Sequence, residues 1–161
     1  MNAESPDFWS WALARWQGVA ATELLELQDA HGVVILEVMF VAWLGQRQIM
    51  VNPAGLALMR DWTQAWINEV ILPLRAVRRV WRTSGREVSL RQRLQGLELE
   101  AERALAGMYM ETVDDLVELA GGYCQGAPAE TLRHNLAQAL ESAGLSDSSA
   151  VLERLENHLA T

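Results

Sequence analysis

VVILEVMFVAWL, residues 33–44, is the longest apolar stretch of the chain, and only Glu37 interrupts it. Its twelve residues are too few for a bilayer span, which needs roughly 20. They are apolar at nearly every helical angle rather than along one stripe, which places them at the centre of a bundle. The flanks also read as helix. Four prolines and eleven glycines fall where helix ends belong. Ser5-Pro6-Asp7 combines a cap, a first-turn proline and an acid near the positive end of the dipole; it opens a helix to Trp16. Gly18 separates that helix from a second, Val19 to Ala30, closed by His31-Gly32. Asn52-Pro53 starts a long helix to Arg82 with Pro73 inside it, where a missing N–H and a bulky ring predict a kink. Ser84-Gly85-Arg86-Glu87 has capping-box spacing. In the helix that follows, Leu90, Leu94, Leu97, Ala101, Ala104 and Met108 step by fours and threes, as in a coiled coil.

Gly121-Gly122 stops that helix, and Gln125–Pro128 reads as a linker before two short helices, 128–142 and 147–160. No strand pattern is present. The fold class is all-α: a single-domain bundle of six or seven helices, with residues 1–120 as the main bundle and 121–161 as a short helical extension packed on it. All seven tryptophans, from Trp9 to Trp81, lie in the first half and place the aromatic core there.

Charge is distributed unevenly. Residues 74–93 hold seven arginines, Arg75, Arg78, Arg79, Arg82, Arg86, Arg91 and Arg93, against the single acid Glu87, in a chain of net charge −8. The segments on either side are acidic. All thirteen basic residues are arginine, whose planar fork matches carboxylate and phosphate groups. On a helix, Arg75, Arg78, Arg79, Arg82 and Arg86 form one stripe beside Leu74, Val77 and Trp81. The apolar stripe runs back through Val70, Trp66 and Trp62, so tryptophans are expected to anchor the helix beside a fixed cationic ridge. Two readings stand. Glu98, Glu100 and Glu102 neutralise the ridge internally, or it meets an external anionic partner: an acidic protein surface, RNA, or a phosphate-bearing ligand. Peripheral contact with a membrane through tryptophans and arginines is a third, lesser reading.

Four motifs resemble a family of small proteobacterial proteins of unknown function: FWxW at 8–11, LQDxHG at 27–32, FxxWL at 40–44 and WxxxVILPLRxxRR at 66–79. The resemblance covers the first half of the chain. It implies that Pro73, Leu74, Arg75, Arg78 and Arg79 act as one unit, and it carries no activity.

Glu37 is the most unusual single residue: a carboxylate on an otherwise apolar helix is paired, protonated or on a wet edge. Arg75–Arg82 supply candidate partners. Asp114-Asp115-Leu116-Val117-Glu118 has the DDxxE spacing of diphosphate-binding elements, but it stands alone and reads as a solvated turn. Asp29 and His31 sit at a helix end, where a histidine suits the negative pole. His134 and His158 are isolated, and Cys124 lacks an activating base, so no catalytic residue, metal or cofactor is expected. The start, MNAESPDFW, shows no secretory signal, so a cytoplasmic protein is expected. The functional expectation is a non-enzymatic interaction or adaptor module that presents the arginine face to an acidic protein, with self-association through Leu90–Met108 as a further option. The alternative is a binder of, or enzyme for, a small anionic ligand.

Overall fold

A computed structural model describes residues 7–84, 87–145 and 147–160. Every regular element among them is helical: α1 Phe8–Arg15, α2 Gly18–His31, α3 Ile35–Gln46, α4 Pro53–Trp66, a π turn Ile67–Ile71, α5 Leu72–Ser84, α6 Val88–Glu111, α7 Val113–Leu119, α8 Pro128–Ser142 and α9 Ser149–Leu159. The π turn joins α4 to α5 without a break, and Thr112 alone separates α6 from α7. The described residues therefore form about seven rods, in line with the expected all-α bundle.

The helix ends follow local chemistry. Asp7 caps α1 by accepting the Ser10 N–H at 2.8 Å; Ser5 and Pro6, expected to open this helix, lie outside the described residues. Asn52 caps α4 by accepting the Gly55 N–H at 2.8 Å, with Pro53 in the first turn. Gly32 ends α2 at φ 66°, a left-handed turn that glycine adopts without steric cost. The expected capping box does not open α6. Its first flanking residue is Glu87, at φ 47° and without a side-chain cap, while Gly85 and Arg86 lie outside the described residues.

Pro73 does not simply kink the long helix. Its ring would collide with the carbonyl of residue 69 in a regular helix, and that residue lies in the π turn, where Leu72 N–H donates to the Ile67 carbonyl five residues back. The buried stripe of this rod is Leu56, Met59, Thr63, Ile67 and Ile71, one position away from the tryptophan stripe. Trp62 is 54% exposed and donates its indole N–H to Glu111. Trp66 is half-buried and donates to the Ala101 carbonyl at 3.0 Å. Tryptophan anchoring of the rod is thus partial. An amphipathic ring with a polar edge settles at a boundary, while smaller side chains fill the interior.

The core is built around α3, where Ile35 to Gly45 are all buried. Phe8 and Phe40 meet edge to face at 4.9 Å, and Tyr109 stacks on Phe40 at 5.1 Å, so the aromatic centre draws on the second half of the chain. Helices α8 and α9 add Leu132, Leu136, Leu140, Leu155 and Leu159 to the same apolar cluster. The tightest approach is α3 against α8: a Cβ on Gly45 would lie 2.3 Å from the Leu132 Cα. Next to it, fully buried Asn135 donates to the Val41 and Ile49 carbonyls and accepts the Val51 N–H at 2.8 Å. One side chain thereby satisfies the Ile49 carbonyl and the Val51 N–H of the α3–α4 corner, which would be costly to bury alone, and adds a bond to the Val41 carbonyl within α3.

Gly45→Ala has no room to relax, because backbone rather than a flexible side chain blocks it. Chemical denaturation of this variant is expected to show a loss of about 1–3 kcal/mol.

Candidate functional site

Helix α6 folds back along α5, with partners ascending on one and descending on the other. Arg75 Nη2 meets Glu102 at 3.1 Å, and Arg78 Nε meets Glu98 at 3.0 Å. Glu98 and Glu102 stand one turn apart on one face of α6. Glu100 lies on another face and makes no ion pair with the strip among the described residues. Arg79 reaches Asp29 at the end of α2 only loosely, at 3.4 Å, with both side chains exposed. Arg82 is exposed and has no ion pair among the described residues. Arg86 lies outside them.

The arginine strip therefore divides. Its inner half, Arg75 and Arg78, is occupied by the chain's own glutamates, and its outer half, Arg79 and Arg82, faces solvent. Arg75 is well covered, at 13% side-chain exposure. Arg78 pairs poorly: its Nε is buried and close to Glu98, but the N–H is not aimed at an acceptor, so the contact is coulombic without a hydrogen bond. Burial raises the Glu98 carboxyl above its ordinary range, Arg78 pulls it back, and the neighbouring Glu102 charge pushes it up again.

Two concave features flank this strip. The first is a cleft of about 240 Å³ between α1, α2, α3, α5 and α6. Trp9, Leu13 and Trp16 line one side, Leu36 and Met39 the floor, and Arg75, Arg78, Glu98 and Glu102 the far wall. The second is a groove of about 340 Å³ where Gly32, Val33 and Val34 at the α2–α3 corner meet Leu72, Arg75, Ala76 and Arg79 of α5. Leu72, Ala76 and Val80 follow at steps of four along the outer face of α5, and all three are exposed. Neither feature is visible in any one stretch of sequence, because each draws on elements far apart in the chain.

Glu37 is buried at 5% exposure, but none of Arg75–Arg82 is its partner. Arg60 of α4 takes that place, with Nη2 donating to Glu37 Oε1 at 2.6 Å, Nε lying 3.2 Å from both carboxylate oxygens, and Nη2 also donating to Ser142. The hydrogen bonds to Glu37 stabilise the Arg60 charge and raise its pKa against the opposing effect of burial. Nearby Tyr109 has its phenol pKa driven far up, first by burial and then by the Glu37 charge. This group closes the bundle between α3, α4 and α8. Asp114, Asp115 and Glu118 are exposed on α7.

Two stability measurements separate these carboxylates. Arg60→Met leaves Glu37 buried without its partner and is expected to cost about 2 kcal/mol, below the usual loss for breaking a fully buried pair because Arg60 is partly exposed. The double variant Glu37→Met/Arg60→Met is expected to recover most of that in denaturant titration. For Glu98 the sign is reversed. A raised folded-state pKa gives stability that is present at low pH and lost as pH rises through it. Glu98→Gln is therefore expected to raise the melting temperature at about pH 7, and the gain should vanish below about pH 4.

No curated protein and no solved structure matches the chain. No helix among the described residues is long and apolar enough to cross a membrane. A family model described as protein of unknown function (DUF2390) matches residues 7–108, a span that holds α1 to α5, most of α6, the cleft and the groove. The chain therefore belongs to the DUF2390 family of proteins of unknown function.

Proposed function

We propose that this protein is an interaction module whose working surface is the outer face of α5 together with the groove at the α2–α3 corner, and that its partner is an acidic, amphipathic segment of another protein. The observation that carries this reading is the placing, on one helix, of exposed apolar groups beside one loosely paired cation and one that has no ion pair among the described residues. Val80 is 64% and Leu72 49% exposed, and Arg79 and Arg82 flank them. Arg79 is held only by the long contact to Asp29, which an incoming carboxylate can replace at little cost, since exposed pairs are worth roughly 0–1 kcal/mol. Leu72, Ala76 and Val80 at steps of four suit the apolar stripe of a partner helix. A protein is favoured over RNA because the chain as a whole is −8, which opposes binding driven by phosphate neutralisation.

Arg79→Glu/Arg82→Glu and Val80→Asp change exposed positions only, so both variants should keep the wild-type melting temperature. Quantitative comparison of proteins co-purifying with the native chain and with each variant should show the same acidic partner lost from both. The reconstituted pair should bind about tenfold more weakly with either variant and should weaken further with salt. Identical partners in all three preparations refute the surface, and a nuclease-sensitive association assigns it to RNA instead.

A further inference from the structure

The cleft between α1 and the α5–α6 pair adjoins the docking groove, with which it shares Gln28 and Arg75, and alone of the two is lined by Arg78. Leu13, Trp16, Leu25 and Leu99, from three helices and the end of α1, surround its mouth at 45%, 37%, 41% and 50% exposure. Exposed large apolar side chains gathered around one concavity mark a ligand site more often than scattered ones do. Its floor is core, formed by buried Ile35, Leu36 and Met39 of α3. Its far wall is ionic and under-used. Among the described residues Arg75 makes one side-chain hydrogen bond, to Glu102, and the buried Nε of Arg78 makes none.

We propose that this cleft binds a small anionic amphiphile, its carboxylate held by the Arg78 and Arg75 guanidinium groups and its apolar body lying between Trp9, Trp16 and Met39. Three observations select this ligand. Arg78 is 42% exposed and its contact with Glu98 lacks a hydrogen bond, so its guanidinium keeps donors for a ligand carboxylate. Burial already disfavours the ionised form of Glu98, so this residue can take up a proton from solvent as the ligand anion enters, and the four-charge wall stays neutral overall. The volume of about 240 Å³ falls below the roughly 300–1,000 Å³ of drug-sized sites; it suits a short chain or a single ring and excludes a full-length lipid.

Sodium octanoate, octylammonium chloride and octanol are the probes, titrated into the full chain by calorimetry and by nuclear magnetic resonance. Octanoate is expected to bind at one saturable site, about tenfold more tightly than the other two. In the wild-type protein it should shift the indole resonances of Trp9 and Trp16 and leave that of Trp62 in place. Arg78→Gln should lower octanoate affinity about tenfold, and Arg82→Gln should not change it. Equal binding of all three probes reduces the cleft to an apolar patch and overturns the proposal. Absence of binding at millimolar octanoate, or octanoate binding indifferent to Arg78→Gln, also overturns it. None of these outcomes bears on Arg79 or Val80, so the cleft and the docking surface stand or fall separately.

Discussion

Contact between α3 and α8 holds the molecule together. A helix apolar on every side has to be enclosed, and α3 achieves this by letting α8 approach until backbone meets backbone at Gly45 and Leu132. Packing that close brings the α3–α4 corner into the interior, where its carbonyls and N–H groups need partners. Asn135 provides two of them and also bonds the Val41 carbonyl within α3. The remaining helices then close around this pair, with Phe8, Phe40 and Tyr109 filling the opposite side of α3.

Electrostatics are organised around the same frame in two layers. Inside, Glu37 and Arg60 form a close, multiply bonded pair that ties α4 to α3 and, through Ser142, to α8. Nearer the surface, the α5–α6 pair carries contacts of decreasing quality: Arg75 is bonded, Arg78 is misaligned, Arg79 is distant and Arg82 is exposed. The gradient runs outward along one helix. A single cationic strip thereby braces a hairpin at one end and is exposed at the other.

Much of the architecture was legible in the sequence. The VVILEVMFVAWL helix, the Asn52-Pro53 start and the Gly32 stop each follow from local chemistry, and each is present. The position of the arginine strip was legible as well, and Glu98 and Glu102 were named among the acids that could neutralise it. Which acids would meet which arginines was not, because a two-residue step, about 200° around the helix, separates Glu100 from Glu98 and Glu102. Glu37 was recognisable as anomalous, yet Arg60 was not recognisable as its partner, since that pairing depends on how α4 lies across α3. Asn135 carried no signal at all: an asparagine in a short amphipathic helix looks like surface until the helix is placed. The cleft was illegible for the same reason, with walls drawn from five elements.

The π turn at Ile67–Ile71 acts as a phase setter for everything after it. Each residue added to or removed from a helix turns the downstream part by about 100°. The compass bearing of Arg75, Arg78, Arg79 and Arg82 is thus fixed by INEVI, a segment with no arginine in it. The tryptophan stripe already lies one position off the buried stripe at Trp62 and Thr63, ahead of this turn, and keeps that offset to Val70 and Ile71. Two chains with identical arginine spacing but a regular helix at this point would aim those arginines at different neighbours.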